Sequence, residues 1–277
     1  MIEEIRNFEF EKLNQKEVII NPTIKQIGVG AFEFSNIESI VIPSSVEHIR
    51  TSAFKGCKNL KSVIFETSDC AVDKQAFLDC ESLETVENFP DKERISEKVF
   101  QNCSSLKNIT FANESIESIY YNAFDNCISL ESITLPMNLK EIASEAFLAC
   151  KKLETINVNN NLRHIGACAF ADCSKLTRLD FSKAYMESID FYAFRNCRSL
   201  FEVVFDNIVS INENAFEGCH LQQIIMSSES YTNNERFVDS YKKIILKNDS
   251  LDALIASGKS FKEISKIYKN NNIDKNR

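Results

Sequence analysis

Nine phenylalanines recur along this chain at a nearly fixed interval, and that interval decides what the chain can fold into. They are Phe32, Phe54, Phe77, Phe100, Phe124, Phe147, Phe170, Phe194 and Phe216, separated by 22, 23, 23, 24, 23, 23, 24 and 22 residues. Other columns keep step with them. Five residues before each Phe stands Ile27, Ile49, Val72, Ile95, Ile119, Ile142, Ile165, Ile189 or Ile211, and Ala precedes every Phe except at Val99-Phe100. Three residues after it stands Cys57, Cys80, Cys103, Cys127, Cys150, Cys173, Cys197 or Cys219, with Ser35 the one departure. A Leu follows three residues further on in seven copies, from Leu60 to Leu200, while the first and last copies use Ile37 and Leu221. A period in the low twenties is the signature of a solenoid of the leucine-rich class. One copy cannot bury its apolar face alone, so stacked neighbours must share a continuous core.

After the Leu comes a run such as Leu130-Glu-Ser-Ile133-Thr-Leu135, whose alternation is that of a half-buried strand. Parallel stacking at about 4.8 Å per rung makes a curved sheet roughly 40 Å long from nine copies. With these columns in place the chain resembles the BspA-type (Treponema-type) leucine-rich repeats, whose units run Leu-x-x-Ile-x-Ile-Pro, then Ile-Gly-x-x-Ala-Phe-x-x-Cys. The Pro after the strand stands at Pro43 and Pro136, and the Ile-Gly pair at Ile27-Gly28 and Ile165-Gly166. The expected fold is a leucine-rich repeat solenoid of α/β type, mostly β. An N-terminal cap is expected over residues 1–23, nine repeats over 24–227, and a helical C-terminal cap with a basic tail over 228–277. Members of this family are best known as bacterial and protozoan surface or adhesion proteins, so the resemblance implies binding rather than catalysis.

The ends and one repeat depart from the pattern. Val18-Ile-Ile20 before Asn21-Pro22 is expected to supply a strand that shields the first rung. In the third repeat the polar Asn88 occupies an apolar column, and Phe89 is expected to take its place through a local bulge. Beyond Ser227, Phe237, Tyr241, Ile244 and Ile245 recur at helical spacing, as do Leu251, Leu254 and Ile255, and Ser260-Phe-Lys-Glu263 reads as a capping box. Residues 242–277 hold nine Lys/Arg against four Asp/Glu, and the whole chain carries −8, so residues 1–241 carry −13.

These totals and motifs exclude several classes of function. An acidic body repels nucleic acid phosphate. No run of about 18 apolar residues offers a membrane span, and from the acidic opening Met1-Ile-Glu-Glu-Ile-Arg no signal peptide is expected. Eight of the ten cysteines belong to the repeat column, where a small, buried, weakly polar side chain suits the slot. They read as structural thiols, so a cytoplasmic setting is expected, with the cell surface by a non-classical route as the alternative. His48 and His164 occupy one repeat position five rungs apart, too far to share a metal, and no phosphate loop or nucleophile elbow appears. No enzyme activity, cofactor or metal is expected.

What remains is the outward side of the strands. One column runs Ser39, Ser62, Thr85, Asn108, Ser132, Thr155, Arg178, Glu202, Gln223, and the other Val41, Ile64, Glu87, Thr110, Thr134, Asn157, Asp180, Val204, Ile225. Small polar residues fill the middle and apolar ones both ends. Ser, Thr and Val also simply suit strands, but repeat proteins use such a face as an extended binding surface. A protein or peptide ligand is therefore expected on Asn108, Thr110, Ser132, Thr134, Thr155, Asn157, Arg178 and Asp180, with Phe201 as an aromatic anchor at the edge. The connection side, with Tyr120, Tyr121, Phe191 and Tyr192, is the second candidate.

Overall fold

The structure, a computed structural model, describes residues 4–90, 93–112, 114–227, 230, 233–238 and 244–246. Each repeat makes one turn, and each turn contributes two strands where the sequence pattern indicates one. The short strands hold the Ile column: β1 (Glu4–Ile5), β2 (Gln26–Ile27), β4 (His48–Ile49), β6 (Ala71–Val72), β8 (Arg94–Ile95), β10 (Ser118–Ile119), β12 (Glu141–Ile142) and β14 (His164–Ile165). The Leu-x-x-Ile-x-apolar runs give β3 (Ser39–Ile42), β5 (Ser62–Phe65), β7 (Thr85–Phe89), β9 (Asn108–Phe111), β11 (Ser132–Thr134) and β13 (Thr155–Asn157). In the next two turns the strands run together around the corner as β15 (Arg178–Ile189) and β16 (Glu202–Ile211), followed by β17 (Gln223–Met226).

All pairing is parallel and one repeat apart, as in Ile133 with Ile156 and Ile119 with Ile142. The long-strand face is laid down as β3-β5-β7-β9, then β11-β13, then β15 onward, while the short strands form β1-β2-β4-β6 and β8-β10-β12-β14-β15. At Asn88 the ladder slips between Val86 and Phe89, Asn88 is exposed at φ 56°, and Phe89 is buried edge-on to Phe65. The expected bulge is therefore present.

The convex side is not helical, which corrects the α/β-type expectation. The Ala-Phe-x-x-Cys segments are stacked turns, tied across rungs by backbone bonds such as Phe147 N–H to the Ala169 carbonyl at 2.7 Å. The residue two after each repeat Phe takes positive φ, and so does the residue two before it in every turn but that of Phe216, as at Asn122 and Asn126 or Tyr192 and Asn196. A helix cannot pass through such residues. Gly, Asn and Asp tolerate this conformation best, and they fill the second of these positions at Gly56, Asp79, Asn102, Asn126, Asp172, Asn196 and Gly218. Their side chains form ladders: Asn102 donates to Asp79 at 2.7 Å, Asn126 to Asn102 at 3.0 Å, and Asn196 to Asp172 at 3.0 Å. Ala149, at φ 57°, interrupts the row. Ala149→Asn is expected to stabilise the fold by about 1 kcal/mol, through easier φ and restored side-chain bonds, raising the urea midpoint.

Inside the turns the nine Phe rings form one stack, with centroids 5.0 Å apart and planes within 6° at Phe124–Phe147 and 5.0 Å and 3° at Phe147–Phe170. The stack has a further member. Phe10 lies 5.2 Å from Phe32, β1 pairs with β2, and Leu13 packs against the core three residues on. Residues 4–20 thus stack as another turn, with Glu17 paired to Ser39 where a shielding strand was expected. Each column thiol donates to the carbonyl of the preceding turn's Phe, from Cys57 Sγ to Phe32 at 3.0 Å through Cys150 to Phe124 at 3.2 Å to Cys219 to Phe194 at 3.0 Å. That bond is the reason for cysteine. The slot is buried and faces a Phe carbonyl that already accepts one backbone N–H, and a small, weakly polar thiol adds a second bond to it at little desolvation cost.

At the far end, Phe216 is covered by Phe237 at 5.6 Å, carried on a single helical turn, α1 (Glu235–Val238). The expected helix does not continue to Ile244 and Ile245. They lie in β18 (Ile244–Leu246), paired in parallel with Ile224 and Ile225 of β17, because the open edge of the last turn offers unpaired backbone that a strand satisfies. Leu251, Leu254, Ile255 and the 260–263 capping box lie outside the described residues. No helix among the described residues is long and apolar enough to cross a membrane.

Candidate functional site

The period-2 pleat turns Leu and Ile inward and leaves the intervening residues on the outer face. Asn108, Thr110, Ser132, Thr134, Thr155, Asn157, Arg178 and Asp180 are all exposed there. Ser132 sits opposite Thr155, and Thr134 opposite Asn157, so the middle of the face is two rows of short hydrogen-bonding side chains. Phe201 is 42% exposed just before β16, at the edge of the face. Val204 departs from the expected outward column: it is buried, lying in register between Asp180 and Ile225 beside the paired side chains of Arg178 and Glu202. The apolar end of that column is therefore not available as surface at Val204.

Arg178 and Asp180 are brought together. Arg178 Nη2 lies 3.1 Å from Asp180, and its Nε donates to Glu202, a partner the sequence columns place one rung on but do not pair with it. Glu202 also accepts from Gln223. The Glu202 hydrogen bond, with Asp180 beside it, raises the Arg178 pKa. Partial burial works against the Asp180 charge, but the Ser182 hydroxyl and N–H and the Arg178 guanidinium outweigh it and hold that carboxyl below the usual range. The charges at this end are thus largely satisfied within the chain. They frame the polar rows rather than offering a free ion to a ligand.

The connection-side aromatics do not form one patch. Phe191 and Tyr192 meet edge-on at 5.5 Å with Arg195 over Tyr192, whereas Tyr120, three turns earlier, lies under Arg94 at 5.5 Å. The short-strand face holds two features that sequence columns hide. His164 Nδ1 is 2.5 Å from Ser188 Oγ, its register partner, and Nε2 is 3.6 Å from Asp190. A depression of about 420 Å³ lies where Ala71 and Ser96 are small between the larger His48, Asp73 and Arg94. Among the described residues no group of three His, Cys, Asp or Glu is placed to hold a metal. Burial pushes the Cys80, Cys103, Cys127, Cys150 and Cys197 thiols well above the free value, so these five hold their protons at neutral pH, whereas the hydrogen bond from Cys80 lowers the Cys57 thiol. Cys168, off the column and partly exposed, is also raised by desolvation.

What the geometry provides is a ruled polar face on a rigid repeat. Solved structures similar to this chain include a leucine-rich repeat protein from Bacteroides ovatus, 23% identical over 89% of this chain and 76% of that one with a TM-score of 0.48. Others are the pneumococcal vaccine antigen PcpA, at 19% identity, 89% and 77% coverage and TM-score 0.48, and the leucine-rich repeat protein of T. pallidum, at 20%, 76% and 87%, and 0.44. None of these likenesses bears on what the face binds. No curated protein matches the chain. The family model described as BspA type leucine rich repeat region matches in six copies over residues 1–107, 71–187, 117–245 and 183–274. That span takes in every Phe-Cys turn, and the chain belongs to the BspA-type leucine-rich repeat family.

Proposed function

We propose that the chain is a non-catalytic scaffold that holds an extended protein or peptide segment on its strand face. The contact surface runs from Asn108 and Thr110 through Ser132, Thr134, Thr155 and Asn157 to Arg178 and Asp180, with Phe201 at the edge. The observation that carries this is the outward exposure, in register, of small hydrogen-bonding side chains on successive turns, with no described element over them. Such a surface suits an extended backbone, which presents alternating donors and acceptors at a similar pitch.

Arg178→Ala is a poor probe, because it also removes the guanidinium from Asp180 and Glu202 and so changes the charge of neighbouring positions. Thr134→Arg with Asn157→Arg instead places two long cations at adjacent exposed positions that no core contact needs. In cross-linking capture from the native cell, this variant is expected to lose at least about tenfold of the wild-type partner signal at unchanged thermal stability. An unchanged partner set would remove this face from consideration.

The setting follows from the thiols. The column thiols serve as hydrogen-bond donors to the Phe carbonyls, an arrangement that a reducing compartment preserves. We therefore favour the cytoplasm, with a surface adhesin as the alternative that antibody labelling of intact cells separates.

A further inference from the structure

The N-terminal end of the strand face differs from its middle. Glu17 pairs with Ser39, which places Ile19 beside Val41, and Val41 pairs with Ile64. The outward column is therefore aliphatic for three turns before Glu87 ends it. Ile19 is 96% exposed and Val41 45% exposed. Beside them lies a depression of about 420 Å³, with Ile19, Ile20, Val41 and Pro43 as its apolar lining and Glu17 and Glu66 at its margins. A volume of this size is ordinary for a binding pocket.

Two further observations say what fits it. Among the described residues neither Glu17 nor Glu66 has an ion-pair partner, while Glu38, close by, is held by Lys16 at 2.8 Å and Lys61 at 3.0 Å. Residues 17–20, bridged to the sheet at Glu17 only, lie beside β3, the first strand of that sheet, and no described strand pairs with their other side.

We propose that this end of the face docks an extended segment of a partner protein in which an aliphatic residue is flanked by lysine or arginine. The aliphatic side chain covers Ile19 and Val41, the cations meet Glu17 and Glu66, and the segment's backbone pairs with residues 17–20. Exposed carboxylates contribute modestly and in a salt-dependent way, so the aliphatic contact supplies most of the affinity and the charges set the sign preference. This deepens the reading of the strand face as a docking surface and rests on it.

The test is fluorescence anisotropy of the full chain with a labelled hexapeptide of alternating lysine and valine, against its glutamate–valine counterpart. Saturable binding is expected for the lysine peptide, roughly tenfold or more tighter than for the glutamate one and weakening as salt rises. Ile19→Asp with Val41→Ser should weaken it about tenfold, and Glu17→Lys with Glu66→Lys should reverse the preference. Because these side chains are exposed, thermal unfolding should match wild type. Binding that ignores both variants would overturn the proposal. So would sedimentation showing that Ile19→Asp dissolves a dimer of the wild type, since the occupant would then be a second copy. If Thr134→Arg with Asn157→Arg loses the hexapeptide while the groove variants keep it, the groove falls and the strand-face reading stands. If the groove variants lose it while the central variant keeps its cellular partner, the central contact falls and the groove stands.

Discussion

Above about pH 9 the folded chain is expected to lose stability steeply, because five thiols of its core titrate only when it unfolds. Burial raises the pKa of Cys80, Cys103, Cys127, Cys150 and Cys197 in the folded state. In the unfolded chain each ionises near 8.5. Below that value both states hold the proton and the thiols contribute nothing to the pH dependence. Above it the unfolded state sheds protons that the folded state keeps, so folding becomes less favourable with each further rise in pH. With five such thiols the slope approaches roughly 7 kcal/mol per pH unit, enough to unfold a domain of ordinary stability within one to two units. Urea melts of reduced protein at intervals from pH 7 to 10.5 measure it. Cys150→Ser keeps a donor for the Phe124 carbonyl and removes one titrating group. It should therefore lower the slope by about 1.4 kcal/mol per unit. A flat profile through pH 10 would mean that the thiols are not buried together.

Phe147→Ala is expected to cost about 4 kcal/mol, the upper part of the range for a large core truncation. Phe147 is fully buried and sandwiched at 5.0 Å by Phe124 and Phe170, with no other ring stacked on it among the described residues. The consequence should reach beyond the lost area. Each turn in a repeat protein is stabilised by its two neighbours, so a void at this point weakens the coupling between the turns on either side. Denaturant unfolding should accordingly move to a lower midpoint with a shallower slope, the sign that the halves have begun to unfold apart. Phe10→Ala makes the comparison: that ring is half-buried and has one stacking neighbour, so it should cost about half as much and leave the slope unchanged. Equal effects at the two sites would contradict a one-dimensional stack.

How far the fold was legible follows from where a repeat constrains its residues. The Ile, Phe, Cys and Leu columns could be read because each fills one recurring slot in a continuous core, and a slot of fixed shape admits few side chains. The first turn was hidden because Leu13 replaces the cysteine and no regular strand precedes it. Yet Ile5 and Phe10 keep the same five-residue offset as Ile27 and Phe32, a signal that was present in the chain. The left-handed residues on the convex side left only a partial trace in Gly, Asn and Asp, since Ala149, Tyr192 and Glu145 accept the same φ under the constraint of their neighbours. Ile244 and Ile245 had helical spacing with their apolar neighbours, but an unsatisfied strand edge outranks local periodicity. On the candidate face, alternation showed which residues point outward. It did not show that Glu202 would take the Arg178 guanidinium, or that Val204 would be covered, because both depend on contacts between turns.

The account rests on each repeat winding once and lying in parallel register on the next, and cross-strand disulfide trapping tests this most directly. Ser132 and Thr155 are register partners on the exposed face, so the pair Ser132→Cys with Thr155→Cys sits one rung apart, about 4.8 Å, within reach of a disulfide. Arg178 occupies the same column a rung beyond Thr155, so Ser132→Cys with Arg178→Cys spans about 10 Å and is out of reach. Mild oxidation followed by peptide mapping should give the 132–155 cross-link in high yield, no 132–178 cross-link, and column cysteines that stay reduced. Absence of the first link, or comparable yields of the two, would contradict the stacked parallel register and with it the strand face on which the proposed binding depends.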